Sequence, residues 1–444
     1  MSAKKLAVIG AGLAGMAAAA AARQAGMDVT MIGCREGATA FSSGALDLAG
    51  DPFAPREHPA DTCRDTRLNL VNLLGRRPHH PYALFGPDPD QAADAVLAAA
   101  REALELLLPA GAALALEGSC SQNEPCFTSL GTVKFTAFFP AACARPGGPG
   151  MEKPLALGFE GLSDFDPETW GHVAREVAGR LGRRCDAVTG WGRFGAGHQR
   201  PSTVVAAEIG RDPAAFIAAV KEAAAGQAAS ALVLPPVLPL GARAEILREL
   251  AAGLGMPVYE PLSLPPSVPG LRLAEHLRAR AEALGVTVMR AEVTAYTAEG
   301  DRLLALTVGR GPDSVSVSAD AFVLAAGKFL GGGLQKGAAF YETLFGLPVY
   351  WGDRLLGEVF TEKLLGLNVE DEHALFEVGL RTDARLRPLT ADGAPRFTNL
   401  FAAGSILAGS NYILDGSGAG TALATGLRAA HLLATDGTTN VQHL

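Results

Sequence analysis

Apolar residues come in two rhythms along this chain of 444 residues. Short unbroken apolar runs, suited to strands buried on both faces, alternate with longer stretches of helical period. The first run, residues 6–9, stops at a glycine turn, Gly10-Ala11-Gly12-Leu13-Ala14-Gly15. An Ala-rich helix follows from about Leu13, and Asp28–Ile32 reads as a second strand, so residues 1–50 read β-α-β. Lys4 and Lys5 ahead of this stretch also resemble the start of a secretory leader. The glycine turn in its middle and the strand behind it favour β-α-β.

Residues 51–90, rich in Pro, Asp and His, predict an irregular crossing. Residues 92–108 predict an amphipathic helix stopped by Pro109 and Gly111. Short strands fill 114–150, up to a Pro/Gly hinge at 145–150. The strands PLALGFEG, CDAVTGW, SALVLPPVL and MPVYEPL then alternate with helices at 167–180, 212–223 and 243–253. That pattern is a second, parallel-type α/β unit. PSVPG at 266–270 reads as a hinge, 271–284 as a helix, 286–291 as a strand and 292–319 as a β-meander. Residues 321–326 form a buried strand ending at Gly327, 399–402 another, and about 419–434 a last helix.

Composition narrows the classes. Glycine makes up 53 of 444 residues, well above the usual share of roughly 7%. With no Gly-X-Y period it must serve turns, ligand loops and close packing. The net charge of −8 gives no chain-wide basic footprint for nucleic acid. None of the six cysteines, Cys34, Cys63, Cys120, Cys126, Cys143 and Cys185, forms C-x-x-C. Their spacing fits neither zinc nor iron–sulfur ligation, so no metal site is expected, and they read as reduced thiols of a cytoplasmic protein. No other apolar segment is long enough to predict a membrane span.

Four motifs carry chemistry. Gly10, Gly12, Leu13, Ala14 and Gly15 follow a strand and open a helix, the setting in which a glycine turn cradles a phosphate. A dinucleotide site expects Asp or Glu at the end of strand two, to hold the ribose. Here that end reads Ile32-Gly33-Cys34-Arg35-Glu36: the acid comes late, and Arg35 stands near the ligand beside Gly33. Either another group holds an adenosine ribose, or there is no adenosine, and the second option favours FMN over FAD. In FSSGALDLAG at 41–50, Ser42, Ser43 and Gly44 can wrap a ring, unless the segment is an ordinary loop with an Asx-type turn at Asp47. At 321–333, Ala326 and Gly327 allow close backbone approach, and Lys328 can bring a charge. At 399–426, Gly404 and Ser405 end a strand, and Gly416, Gly418, Gly420 and Thr421 lead into a helix. A helix N-terminus there stabilises negative charge near N1 and O2 of a reduced flavin. The expected fold is α/β: a Rossmann-like two-dinucleotide-fold flavoprotein of glutathione-reductase/fumarate-reductase type, with an inserted second α/β unit. The flavin-binding parts are 1–50, 263–335 and 380–444, the insert 90–262, and 336–380 a capping segment whose Tyr341, Tyr350 and Trp351 can cover a ring.

With these motifs the chain resembles the flavoprotein B-subunits of anaerobic glycerol-3-phosphate dehydrogenase. The matching stretches are GAGLAG, FSSGALDL at 41–48, HPYALFGP at 80–87, LPPSVPGLRL at 264–273, FVLAAGKFLGGGL at 322–334, TDARLRP at 382–388 and NLFAAGSILAG at 399–409. The family's Gly/Cys-rich C-terminal loop is replaced by DGSGAG. The resemblance implies an FMN-binding protein working beside a catalytic flavoprotein of the A-subunit type. An iron–sulfur protein would anchor both to the inner face of the cytoplasmic membrane. The net reaction it implies is oxidation of sn-glycerol 3-phosphate to dihydroxyacetone phosphate.

Oxidising an alcohol with a flavin requires a base near the hydroxyl and cations for the phosphate. His80, of the pair His79-His80, is the candidate base; Arg387 and Lys328 are the candidate cations; Asp415 reads as a turn cap. The scarcity of His/Arg pairs leans towards relay of electrons from a partner flavin. Two other readings stand beside this one. One is a free-standing flavin oxidoreductase acting on another hydroxy- or keto-acid. The other is a non-catalytic flavin-binding assembly protein.

Overall fold

The computed structural model describes residues 3–35, 37–50, 64–195, 198–358, 361–368 and 371–435. Its main sheet has five parallel strands, in the order Thr287–Met289, Asp28–Ile32, Lys5–Ile9, Ala321–Leu324, Leu400–Ala402. Leu6 stands between Val29 and Ala321 in the register. The lysine-led run of the N-terminus is therefore the central strand. From it the chain builds outward to one edge, then returns to the other side. In open α/β sheets a ligand sits beyond the strand ends at such a reversal.

Helix Leu13–Gln24 buries every residue from Leu13 to Ala22. Its alanines let helix Gly418–Thr435 come so close that a Cβ on Gly426 would stand 2.3 Å from Ala14 O. Phe322 and Phe401, fully buried in adjacent strands, each stabilise the fold by about 1.5–3 kcal/mol. Helix Pro89–Leu107, capped by the Asp88 carboxylate on Gln91 N–H, belongs to the same core through Ala100, Ala103, Leu104 and Leu107. The sequence placed it at the head of the insert.

A second core lies around four parallel strands, Val258–Tyr259, Ala231–Val233, Pro154–Phe159 and Val188–Gly192. Its helices include Pro167–Arg180, Pro213–Ala224 and Leu240–Leu254. A buried triad pins it to the first core. Glu260 Oε2 accepts from Arg243 Nε (2.8 Å) and from Arg272 Nη1 (2.7 Å), the latter on helix Val268–Ala283. Burial opposes ionisation of Glu260, but Arg272 and Arg243 outweigh it and hold the carboxyl below its ordinary range.

Three expectations need correction. Helix Thr66–Arg76, capped by Asp65, and the tight turn Pro81–Phe85 occupy part of the region read as irregular, and 51–63 lie outside the described residues. Helix Ser202–Arg211 was not foreseen. The supposed hinge at 266–270 is the first turn of helix Val268–Ala283, where Ser267 Oγ accepts from Gly270 N–H and Pro269 takes an early position that has no helical N–H duty. The segment 336–380 holds two small hairpins and short 3-10 turns; Tyr350 is buried, and Tyr341 and Trp351 are partly exposed.

Candidate functional site

The carboxyl ends of the five strands bring the four motifs together. Gly10 has φ 114°, and a Cβ there would stand 2.2 Å from Ala325 O, so the glycine turn touches the end of Ala321–Leu324 backbone to backbone. Gly15 packs as tightly, 2.0 Å from Gly10 O. Gly12 differs. It enters the helix extended, and a Cβ would meet only Thr39 Oγ1, at 3.5 Å. Protein packing does not require glycine at 12; its absent side chain keeps open the space before the helix start. Leu13 N–H donates to Thr39 Oγ1 at 3.1 Å, and Gly404 presses on Ala14 from the last strand.

At the end of strand two, Gly33 N–H donates to Met289 O (3.0 Å). Arg35 is exposed, 3.6 Å from Glu292 Oε1, and its guanidinium lies beside Gly332. A carboxylate thus reaches this corner from beyond the neighbouring strand. Glu36 lies outside the described residues.

The 41–48 segment is held from two sides. Ser42 Oγ turns inward, donating to Thr39 O (2.8 Å) and accepting from Gly44 N–H (3.3 Å). A Cβ on Gly44 would stand 2.4 Å from Pro269 Cβ, and one on Gly270 2.4 Å from Ala40 O. Here glycine serves a backbone clamp, which is why LPPSVPGLRL and FSSGALDL belong together. From the other side Lys134 Nζ reaches Asp47 Oδ2 (2.7 Å) and Ser43 Oγ (3.2 Å). Lys134 escaped the sequence reading, because one lysine in a short strand carries no motif.

At the third and fourth motifs, Gly327, which follows Ala326, faces Ser405 Oγ. Lys328 is buried and donates to Phe376 O and to Ser410 O (3.1 Å), tying three segments. Burial lowers its ammonium to about 7, with Glu377 and Asp415 opposing. Gly418 opens helix Gly418–Thr435. Gly420 N–H donates to Asp47 O (2.8 Å), and a Cβ there would strike Tyr82 OH. Thr421 N–H donates to Ser417 O, and Gly416 packs on Gly50.

His80 is part of the support beneath this helix start. Its Nδ1 accepts from Tyr82 N–H (3.2 Å), and Nε2 faces Ser417 Oγ (3.2 Å) and Asp415 Oδ2 (3.8 Å). Burial, then Arg77 and Lys328, lower it to about 3, so the ring is neutral and its proton sits on Nε2. Neither nitrogen is open to a substrate, which corrects the expectation of a base. Arg387 is likewise engaged: its Nε and Nη2 both lie 2.7 Å from Asp383 Oδ2. Asp415 caps the turn as expected, accepting from Asn411 N–H (2.7 Å), and its Oδ1 lies 3.1 Å from Arg77 Nε. Burial raises its carboxyl to about 6 against the pull of Arg77.

These residues fit a flavin nucleotide. The space before Gly12 at a helix N-terminus suits a phosphate. Asp47 Oδ1 and Asn411 Nδ2 are buried with no hydrogen-bond partner among the described residues, an acceptor and a donor of the kinds a flavin ring edge uses.

Residues 5–421 match the family described as FAD binding domain. The chain is 30% identical over 438 residues to the B-subunit of a probable anaerobic glycerol-3-phosphate dehydrogenase of Halobacterium salinarum, across 95% of this chain and 96% of that one. It is 30% identical over 448 residues to the B-subunit of the anaerobic glycerol-3-phosphate dehydrogenase of Pectobacterium atrosepticum, across 97% and 98%. The chain belongs to this B-subunit family. Among solved structures it is similar to 3-ketosteroid Δ1-dehydrogenase of Sterolibacterium denitrificans, at 13% identity and a TM-score of 0.44 across 98% of this chain and 100% of that one.

The protein is a flavin-dependent oxidoreductase on the FAD binding domain fold. The match to the FAD binding domain gives no support to FMN, the expectation drawn from the missing acid and from the resemblance. A carboxylate after strand two is one way to hold an adenosine ribose, and Arg35 with Glu292 occupies that corner instead. The relatives are named as one component of a larger enzyme, which implies partner proteins. Among the described residues no helix is long and apolar enough to cross a membrane.

Proposed function

We propose that this chain is the FAD-holding component of a complex that oxidises sn-glycerol 3-phosphate to dihydroxyacetone phosphate. Its electrons pass to an iron–sulfur partner that anchors the complex at the inner face of the cytoplasmic membrane. A second flavoprotein, of the A-subunit type, works beside it. The observation that carries the reading is near full-length similarity to the B-subunit proteins, together with a strand-end edge suited to a dinucleotide.

The flavin supplies a two-electron acceptor for hydride. The chain's residues do the rest. The Leu13 helix start and the open face of Gly12 receive the pyrophosphate, and Gly33, Arg35 and Glu292 frame the adenosine end. Ser42, Ser43 and Gly44 border the ring, with Lys134 holding that segment in place. Ala326, Gly327, Gly404 and Ser405 would line the middle of the cofactor, and the start of helix Gly418–Thr435 would offer its partial positive charge to the ring.

Relay from a flavin in the partner is the second reading. It is favoured because His80, Lys328 and Arg387 are all engaged by protein groups. Cofactor released by acid from the purified chain should have the mass of FAD; FMN, or no flavin, would sink the main reading. Anaerobic mixing with glycerol 3-phosphate then separates the two. Bleaching in the isolated chain supports direct oxidation, and bleaching only in the assembled complex supports relay.

A further inference from the structure

Among the described residues Lys328 is the one buried lysine. A buried charge normally has an opposite charge in contact with it. The partners of Lys328 Nζ are neutral: it donates to Phe376 O and to Ser410 O (3.1 Å). An ammonium has three donors, and the third meets no acceptor among the described residues.

Glu377 and Asp415 favour its charge only from a distance. Their oxygens are taken up elsewhere. Glu377 Oε1 pairs with Arg77 Nη1, and its Oε2 accepts from Trp351 Nε1 (3.2 Å). Asp415 Oδ2 accepts from Asn411 N–H (2.7 Å), and Oδ1 lies 3.1 Å from Arg77 Nε. Burial outweighs both carboxylates and brings the ammonium down to about 7.

The remaining groups around it do not supply the missing anion. Arg77 is a permanent cation, and Glu372 reaches it from the exposed side, 3.4 Å from Nη2. His80 is neutral. Burial raises the hydroxyls of Tyr82 and Tyr412, which keep their protons.

The place of this lysine in the fold says where an anion can come from. Lys328 directly follows Ala326 and Gly327, beside the contact of the glycine turn with Ala325. The carbonyl it holds at Ser410 precedes Asn411, whose Nδ2 is buried without a partner. Both neighbours border the edge suited to a flavin. A flavin that accepts two electrons and one proton gains one negative charge.

We infer that Lys328 is a charge-balancing residue for this flavin: its side chain takes a proton from solvent when the flavin is reduced, and the ammonium then stands as counter-ion to the reduced ring. Two electrons and one proton enter the flavin, and the Lys328 amine binds the second proton to become an ammonium. No net charge is added to the buried site. The effect is reciprocal, so the ammonium in turn makes the flavin easier to reduce. The inference rests on the FAD-holding part of the proposed function and not on its substrate.

The test is a potentiometric titration of the flavin-loaded full chain at a series of pH values. The pH slope of the two-electron midpoint counts the protons taken up per flavin. At about pH 8, above the Lys328 value of about 7 and the Asp415 value of about 6, the parent should take up about two protons. Lys328→Met should take up about one and be harder to reduce. Lys328→Arg should also take up about one, because its charge is permanent, yet keep a midpoint near the parent's. A lysine that only ties loops together would leave the slope unaltered in both variants, and that result would overturn the inference. The parent alone also decides: about one proton per flavin at that pH removes the role of Lys328 and leaves the FAD reading standing. A purified chain that holds no flavin removes both.

Discussion

Gly10 and Gly12 stand two residues apart in one motif, yet alanine at each should do opposite things. At Gly10 the residue must hold φ 114° with its Cβ 2.2 Å from Ala325 O. The backbone strain costs about 1–3 kcal/mol, and relieving the overlap by shifting packed strands costs about 1–3 kcal/mol more. A loss of about 2–6 kcal/mol is a large part of the 5–15 kcal/mol typical of a folded domain. At Gly12, φ −81° and ψ −177° suit any residue, and the nearest atom to a Cβ is 3.5 Å away. The weaker helix cap, up to about 1 kcal/mol, offsets an unfolded-state gain of about 0.4–1 kcal/mol. Stability should stay within about 0.5 kcal/mol, while a methyl in the space before the helix start should weaken FAD about tenfold or more. Urea unfolding of the flavin-free chain and an FAD titration by flavin fluorescence check both halves. If flavin-free Gly12→Ala is as unstable as Gly10→Ala, or binds FAD like the parent, the division between packing and ligand glycines is wrong.

Glu260→Gln leaves two buried guanidiniums without their carboxylate and should cost about 3–5 kcal/mol in urea unfolding; a loss under about 1 kcal/mol would mean that water already reaches the cluster. His80, held near 3, takes up a proton on unfolding below its ordinary 6.5, so its stabilisation is present above 6.5 and is lost as pH falls towards 3. The slope is at most about 1.4 kcal/mol per pH unit; urea midpoints from pH 6 to 5 should flatten in His80→Gln, and an unchanged slope would place the titration elsewhere. Lys134→Met removes a half-exposed ion pair worth about 0.2–1 kcal/mol, so melting should barely move while FAD affinity falls; unchanged affinity would make Lys134 a surface residue only.

The main sheet was legible because parallel strands covered on both faces appear as unbroken apolar runs, as in residues 6–9 and in the buried strand that starts at Ala321. Helix Thr66–Arg76 was hidden because its apolar stripe, Leu70, Leu73 and Leu74, sits among Asp, Arg and Asn that also suit a loop. Pro269 and Gly270 looked like a hinge, since residue type alone does not say that a proline opens a helix or that a glycine backs onto Ala40 O. The glycine motifs were legible as motifs. Which glycine faces a neighbour and which faces space depends on atoms hundreds of residues away. His80 was misjudged as an open base for the same reason, since Ser417, which faces its Nε2, lies far along the chain; Arg387 is paired close by, with Asp383 four residues before it.

The strand order also fixes a timetable for synthesis. The first strand of the main sheet ends at residue 9 and its last neighbour at 402. At about 5–20 residues per second the ribosome needs roughly 20–80 s to deliver that interval. For most of it the glycine turn lacks the Ala325 backbone, and the C-terminal helix that packs on it comes only afterwards. The second core, from Phe127 to Val258, is contiguous and leaves the ribosome whole long before. The nascent chain therefore carries a finished insert beside an open half-sheet, which closes only once residue 402 has left the ribosome.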